Sequence, residues 1–210
     1  MSHPPRRAPR PVPTAANEAQ QHDLADGHAT RVVAEARVGA SDLVLEVGPG
    51  LGALTAGLLT AGARVVAIER DPRRIATLRQ RFAKQVTDGR LTLVTGDALD
   101  LMPPMPDPWR VLANPPFALT APLVRRWLLE CEPAPTAIEL VLQREAALKL
   151  TGSEGGQTRS SILAHLCGTP QVVRHLPRDA VTPPSRVDLA VWRHRRDPEA
   201  PRSAELMAVD

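Results

Sequence analysis

The stretch from 42 to 52 contains the residues that are best placed to hold a ligand. An apolar run over 43–47, interrupted only by Glu46, predicts a strand that is buried on both faces. The run ends in a turn with three glycines at alternate positions: Gly48, Gly50 and Gly52. Leucines from Leu54 onward recur at helical spacing. Because glycine has no Cβ, a strand, glycine turn and helix in this order let the backbone approach a bulky ligand closely.

The glycine spacing fits more than one ligand class. Residues 48–53 match G-x-G-x-x-A, the pattern of dinucleotide-binding turns. The spacing G-x-G-x-G with Glu46 two residues before the first glycine favours S-adenosylmethionine instead. An adenosyl amino acid has no pyrophosphate, so the third glycine need not lie at the helix start. A tight turn without a ligand is the plain alternative.

Two acids follow the next predicted strands. Glu69 ends an apolar strand over 64–68, at about the separation from Gly48 that is expected of an acid that binds ribose hydroxyls. One carboxylate can accept from both hydroxyls. Asp97 follows a predicted strand over 91–94 and could accept from an adenine amino group. A surface acid and a turn or helix-cap residue are the respective alternatives.

The motif Asn114-Pro115-Pro116-Phe117 comes directly after a predicted strand over 109–113. Consecutive prolines leave the loop few backbone states. Asn114 offers an amide oxygen, Pro115 keeps a carbonyl acceptor, and Phe117 offers a flat face on which a base can stack. Two acceptors and a stacking plane suit an exocyclic amino group on an aromatic ring. The alternative is a structural turn before a helix.

Composition permits several partners and excludes others. The chain has 210 residues, which suits one domain, and its net charge of +3 and pI near 9.5 permit a polyanionic partner. Cys131 and Cys167 make no metal or disulfide framework, so we expect no metal and a cytoplasmic location. No apolar run is long enough for a membrane span. With two Phe and no Tyr, we expect Leu, Val and Ala to build the core.

The chain divides into three parts by composition. Residues 1–16 form a basic, proline-rich arm that cannot fold alone and could lie on nucleic-acid phosphates or be a solvated tail. A folded domain is expected over 17–196 and a flexible tail over 197–210. Strands predicted at 171–175 and 187–192 form a terminal antiparallel pair. A basic run follows the second of them and favours an RNA partner: Arg193, Arg195 and Arg196.

Taken together, the motifs resemble the ribosomal RNA adenine N6-methyltransferase family, which includes the Erm macrolide-resistance enzymes and the KsgA-type dimethyltransferases. The matching segments cover much of 21–196: 45–55, 67–71, 96–97, 114–117, 142–145 and 183–188. The basic arm resembles that of actinobacterial Erm proteins. The resemblance implies an α/β fold of the Rossmann-like class I S-adenosylmethionine-dependent type. Such a fold has a mostly parallel seven-stranded sheet with helices on both faces.

The resemblance also implies roles for the site residues. His22, Leu24 and Gly48 would bind the methionine end of S-adenosylmethionine, Glu69 its ribose and Asp97 its adenine. Gly50, Gly52 and Asn114 complete the expected cofactor site. Asn114, Pro115 and Phe117 would act on the N6 of a flipped-out adenine in ribosomal RNA.

Within this family, 23S RNA and macrolide resistance are the favoured reading, and the protein is expected to act as a monomer without a metal or a membrane. Several alternatives stay open: a 16S adenine dimethyltransferase, an N-methyltransferase of a small amine in antibiotic biosynthesis, a non-catalytic RNA-binding relative and a nicotinamide oxidoreductase.

Three features depart from the family pattern. Asp23 replaces the aromatic residue of the entry motif, at the expected amino-terminal lid over the cofactor. Pro115 stands where Ile or Leu usually precedes a single proline. The family generally adds a helical domain after the last strand, and the sequence ends at Asp210, before such a domain is expected.

Overall fold

A computed structural model describes residues 22–153 and 157–201. The predicted arm over 1–16 and most of the predicted tail lie outside this part of the chain. The described residues form an α/β fold with a seven-stranded sheet and a second, two-stranded sheet.

The strands are numbered in chain order: β1 Asp23–Leu24, β2 Leu43–Val47, β3 Arg64–Glu69, β4 Leu91–Thr95, β5 Arg110–Ala113, β6 Ala137–Gln143, β7 Gly168–Leu176, β8 Val181–Thr182 and β9 Leu189–Arg196. The helices are α1 Asp26–Ala36, α2 Ala53–Thr60, α3 Pro72–Arg81, α4 Ala83–Thr87, α5 Thr120–Leu129, α6 Arg144–Thr151 and α7 Arg159–Cys167.

The large sheet has the strand order β4-β3-β2-β5-β6-β9-β7. Strands β2 to β6 pair in parallel, and β9 lies antiparallel between β6 and β7. The sequence predicted this mostly parallel sheet and its terminal antiparallel pair, and both predictions are confirmed. The strand order reverses between β2 and β5, so the loops after these two strands lie side by side at the carboxyl edge.

Helices cover both faces of the sheet and create two apolar cores. Helices α1, α2 and α3 pack with one face, and α5, α6 and α7 with the other. All three tryptophans are fully buried in the second core: Trp109, Trp127 and Trp192. The expectation of a core built from Leu, Val and Ala is therefore incomplete, because few aromatic residues still supply the largest buried side chains there.

The second sheet was not predicted. Its two strands, β1 and β8, pair antiparallel with Asp23 opposite Thr182 and Leu24 opposite Val181. Both strands have only two residues, which is too short for an alternating pattern to show in the sequence. This pairing holds the chain on the amino-terminal side of α1 against the segment that precedes β9.

The basic run lies within the last strand rather than after it, which corrects the sequence-based boundary. Glu139 in β6 is 1% exposed, and its Oε1 lies 3.1 Å from Arg193, 3.1 Å from Arg195 and 3.2 Å from Arg110. The buried carboxylate compensates the arginines, so the strand continues through charged residues. The remaining arginine, Arg196, donates to the carbonyl of Pro201 at 2.9 Å. These arginines are therefore held within the fold and support an RNA surface less than their sequence suggested.

Candidate active site

The glycine turn follows β2 and holds three left-handed backbone positions, with φ of 69° at Gly48, 58° at Gly50 and 86° at Gly52. The space beside each glycine has a different neighbour. A Cβ on Gly48 would lie 3.4 Å from Pro116 and 3.8 Å from the carbonyl oxygen of Asn114. The glycine turn and the asparagine loop are therefore in contact, as their positions after neighbouring parallel strands predicted.

The other two glycines have different surroundings. A Cβ on Gly50 would overlap Asp23 Oδ1, so this glycine allows a carboxylate to lie against the turn. A Cβ on Gly52 would meet Phe82 and Leu78 at 2.7 and 2.9 Å, inside the apolar core. Gly52 thus allows α2 to pack against α3, and its chain neighbours Leu51 and Ala53 line one of the clefts described below.

The amide of Asn114 is oriented by the chain that precedes β1. Its Nδ2 donates to the backbone carbonyl of His22 at 2.7 Å. Within the described residues, Oδ1 accepts no hydrogen bond, so it is the amide atom that is left for a ligand. In the turn that follows, Pro116 O accepts from the backbone N–H of Leu119 at 2.8 Å, and the Pro115 carbonyl is not used.

Two adjoining clefts meet at this asparagine. One is lined by both rings of the rim, His22 and Phe117, together with Asp23, Gly48 and the loop 114–116. The second lies over the glycine turn and is lined by nine residues: Asp23, Leu24, Glu46, Gly48, Pro49, Leu51, Ala53, Leu54 and Asn114. We call them the ring cleft and the glycine cleft. Gly48 and Asn114 line both, so a group bound in one cleft can meet a group bound in the other.

The ring cleft has two flat side chains at its rim. The rings of His22 and Phe117 are stacked, with centroids 5.8 Å apart and planes at 25°. Both residues are half-buried. The imidazole Nδ1 lies 2.7 Å from the carbonyl oxygen of Pro183. A carbonyl can only accept, so Nδ1 carries the hydrogen.

Glu69 lies at the end of β3 with a buried, unused oxygen. The residue is 4% exposed, its Oε1 accepts the backbone N–H of Asp71 at 2.9 Å, and Oε2 accepts from no described residue. Burial raises the pKa of this carboxyl, and hydrogen bonds from the backbone N–H groups of Asp71, Arg70 and Gly50 oppose that rise together with the charge of Arg74. A ligand hydroxyl could satisfy the free oxygen.

Asp97 follows β4 at the same edge of the sheet. Its Oδ1 accepts the backbone N–H of Leu99 at 2.9 Å, so the side chain closes a turn, the alternative role considered from the sequence. The neighbouring Gly96 donates to the carbonyl of Glu69 at 3.0 Å, which keeps the two acids on adjacent strand ends.

Glu46 is a buried acid at the floor of the glycine cleft. It is 1% exposed, Thr55 Oγ1 donates to its Oε2 at 2.7 Å, and Oε1 receives no hydrogen bond within the described chain. Burial raises the pKa of the Glu46 carboxyl to about 8, with the hydrogen bond from Thr55 acting in the opposite direction. From the sequence, Glu46 served only to distinguish between ligand classes. An acid inside an apolar strand was the signal that marks it as a site residue.

Asp23 takes a defined place despite its departure from the family pattern. Its Oδ1 accepts the backbone N–H of Leu51 at 3.1 Å and pairs with Arg74 of α3 at 3.0 Å. Both side chains are largely buried, at 20% and 24% exposure. The segment before α1 is thus held over the glycine turn by an ion pair and a backbone hydrogen bond. The sequence marked Asp23 as unusual, but its distant partner Arg74 carried no signal.

No group of His, Cys, Asp and Glu among the described residues could hold a metal ion. None of the helices in 22–153 and 157–201 has the length and apolarity that a membrane span requires.

Comparison with known proteins connects this geometry to one family. The family model described as ribosomal RNA adenine dimethylase matches residues 20–207. The chain is 39% identical over 178 residues to ribosomal RNA small subunit methyltransferase A of Caulobacter vibrioides, covering 82% of this chain and 68% of the relative. It is 40% identical over 155 residues to the same-named protein of Jannaschia, covering 70% and 53%. The chain therefore spans about half to two thirds of these relatives.

Solved structures agree with the fold. A crystal structure of the 23S rRNA methyltransferase ErmE superposes with a TM-score of 0.75 at 30% identity, covering 89% of this chain and 75% of that one. A dimethyladenosine transferase from Plasmodium falciparum gives 0.73 at 26% identity, with coverage of 85% and 65%. The predicted class I methyltransferase fold is confirmed by these matches.

Proposed function

This chain belongs to the ribosomal RNA adenine dimethylase family, and on that premise we propose that it methylates the exocyclic N6 of an adenine in small subunit ribosomal RNA with S-adenosylmethionine. The observation that carries the proposal is the Asn114 amide. Its nitrogen donates to His22 O, its oxygen accepts no hydrogen bond within the described residues, and Asn114 lines both the ring cleft and the glycine cleft. A cytoplasmic location follows from that substrate.

The choice of small subunit RNA departs from the 23S RNA that the sequence favoured. The relatives that match at 39–40% identity carry the name of a small subunit methyltransferase. These comparisons do not support a role in macrolide resistance. The proposal therefore takes up the alternative of a 16S adenine dimethyltransferase.

The residues present fit S-adenosylmethionine. Buried oxygens without a partner among the described residues lie at Glu69 Oε2 and Glu46 Oε1, and the first can accept from ribose hydroxyls. Gly48 and Leu24 line the glycine cleft, where the backbone can approach the amino acid end closely. Asp97 stands on the next strand end for the adenine. When bound, this cofactor supplies an electrophilic methyl group on a positively charged sulfur.

The chain's own contribution is to position and orient the adenine amino group. The lone pair of this nitrogen is delocalised into the ring, which makes it a poor nucleophile. Asn114 Oδ1 and the Pro115 carbonyl would accept its two hydrogens and stabilise the positive charge that develops on nitrogen. Phe117 offers the stacking face that sets the angle of the base. The target adenine has to be unstacked or single-stranded to enter the ring cleft.

Removal of the proton from the methylated amino group requires no strong base from the protein. The amino nitrogen becomes acidic as its new bond forms, so water can take the proton without a strong base, while the Asn114 and Pro115 oxygens accept hydrogen bonds from the amino group. Positioning of the amino group is therefore the main task of the loop 114–117.

Transfer of tritiated methyl groups into purified ribosomal subunits tests the proposal. We expect label in the RNA of small subunits and N6-methylated adenosine after complete digestion of that RNA. Primer extension on RNA from cells with and without the protein then identifies the position. Absence of label from small subunit RNA, together with measured cofactor binding, would refute the proposed substrate.

A second candidate is the 23S RNA reading. The match to ErmE, at 30% identity and a TM-score of 0.75, favours it. The same labelling experiment separates the two, because a 23S enzyme labels large subunit RNA or free 23S transcripts and leaves small subunits unlabelled. Erythromycin sensitivity of a host that expresses the protein gives an independent readout.

A further inference from the structure

The side chain of His22 does not lie where the family resemblance implies. The resemblance placed His22 at the methionine end of the cofactor, together with Leu24. In the structure, Leu24 lines the glycine cleft, whereas His22 lines the ring cleft with Phe117 and is absent from the described lining of the glycine cleft. The two residues thus face different ligands.

Two contacts fix His22 in that position independently of its ring. Its backbone carbonyl accepts from Asn114 at 2.7 Å, and the adjacent Asp23 is paired with Thr182 in the small sheet. The side chain has its own hydrogen bond, from Nδ1 to Pro183 O at 2.7 Å. Changes to the imidazole therefore need not move the backbone that orients Asn114.

The ring cleft otherwise lacks a second stacking surface. The three tryptophans are buried, and the second phenylalanine, Phe82, is 6% exposed in the core near Gly52. Within the described residues, His22 is the only flat ring beside Phe117 that lines this cleft. Bases bind most tightly to protein when aromatic or imidazole rings cover their faces.

We propose that the His22 imidazole is the second stacking surface for the target base and determines how tightly that base is held opposite Phe117. This inference rests on the proposed function. The two rings are 5.8 Å apart and stacked on each other. A base between them needs about 7 Å, twice the contact distance between carbon atoms. His22 therefore turns outward by rotation about its side-chain bonds when the base enters, while its carbonyl stays on Asn114.

Kinetics on small subunits test the assignment with three variants. His22→Ala removes the surface and is expected to raise KM for small subunits on the order of tenfold, with the dissociation constant for S-adenosylmethionine within about threefold of wild type. His22→Phe keeps a flat ring and is expected to stay within about threefold of wild type in KM. His165→Ala is the matched control, because His165 also bonds a backbone carbonyl, that of Thr151 at 3.1 Å, away from the clefts.

Two kinetic outcomes overturn the inference. Equal loss of cofactor affinity and RNA turnover in His22→Ala would indicate that His22 binds the cofactor rather than the target base. Equal damage in His22→Phe and His22→Ala would show that the bond to Pro183, and not the flat ring, is what matters. Melting temperatures of all variants identify any general loss of folding.

A binding experiment separates this inference from the proposed reaction. Adenosine 5′-monophosphate is added to protein saturated with S-adenosylhomocysteine, and the ring signals of His22 and Phe117 are followed by NMR. Upfield shifts of both rings support a base held between them. A shift of Phe117 alone, or of neither ring, contradicts the role of His22. Failure to methylate RNA with both rings shifted would refute the substrate and leave the stacking role intact.

Discussion

Buried carboxylates at the two ends of the large sheet differ in whether they are paired with arginines. At the amino end, Glu139 lies among three arginines, and Arg110 also pairs with Asp42 at 3.4 Å. At the carboxyl end, Glu46 has a hydroxyl partner from Thr55 but no ion pair within the described residues, and Glu69 accepts from the backbone N–H of Asp71. Burial of an acid is expensive unless its charge is paired. The paired acid is therefore structural, and the unpaired acids mark the end where a ligand is expected.

The largest effect is expected from a substitution at the carboxyl end of the sheet. Asn114→Ala removes the amide oxygen that is left for the amino group, so methyl transfer should fall on the order of a thousandfold. Affinity for S-adenosylmethionine, measured by calorimetry, should stay within about an order of magnitude, since Glu69 and the glycine turn remain. Turnover on RNA that survives this substitution would remove Asn114 from the reaction.

The second test addresses the amino end. Glu139→Ala leaves three arginines without their shared carboxylate and should lower the free energy of unfolding by about 3–5 kcal/mol. Urea denaturation measures it. Glu35→Ala breaks the ion pair between Glu35 and Arg174, whose side chains are 35% and 36% exposed. This substitution should lower the free energy of unfolding by no more than about 1 kcal/mol. Similar losses in the two variants would erase the distinction between the buried network and an ordinary surface pair.

The third test uses the pH dependence of stability. The pKa of Glu46 rises from 4.5 to about 8 on folding. Below pH 4.5 the carboxyl is protonated in both states. Between these values the unfolded chain releases its proton and the folded protein keeps it, so stability is lost as pH rises, and the loss is complete above about 8.

Glu46→Gln cannot ionise and should avoid this loss. At pH 9 the variant is expected to exceed wild type in unfolding free energy by on the order of a few kcal/mol, with a much smaller difference near pH 4.5. Thermal melts across this range provide the comparison. A wild-type excess at high pH would mean that Glu46 is stabilised as a carboxylate, and the contrast with Glu139 would fail.

The smallest expected effect concerns an ion pair at the carboxyl end of the sheet, between Asp23 and Arg74. Asp23→Asn should weaken cofactor binding about threefold at low salt and less at high salt, because a partly exposed pair is screened. Asp188→Asn breaks the more exposed pair with Arg178 and is the control. A salt-independent loss in Asp23→Asn would contradict the assignment of this effect to the charge of Asp23.

The sequence predicted most of the sheet and the two loops that meet at its edge, because these depend on local patterns. Apolar strands, alternating helices and the glycine turn are each readable within a few residues. The contact between Gly48 and the loop 114–117 also followed, since neighbouring parallel strands end at one edge.

What the sequence did not predict depends on contacts between distant residues. Arg193 and Arg195 were interpreted as favouring an RNA partner because their partner Glu139 is far away in sequence. Asp23 was interpreted only as the loss of an aromatic residue, because its partner Arg74 is 51 residues away in sequence. The role of the basic arm over 1–16 stays a prediction, as does the cofactor contact of each site residue.

The small sheet determines when the site can form during synthesis of the chain. His22 depends on Pro183, and Ala25 donates to the carbonyl of Ala180 at 2.9 Å, so the rim needs parts of the chain separated by 161 residues. During synthesis the glycine turn and the asparagine loop leave the ribosome long before the segment that holds the rim. A nascent chain consequently carries both motifs before their rim can form, and the site is complete only after the segment around Pro183 has emerged from the ribosome.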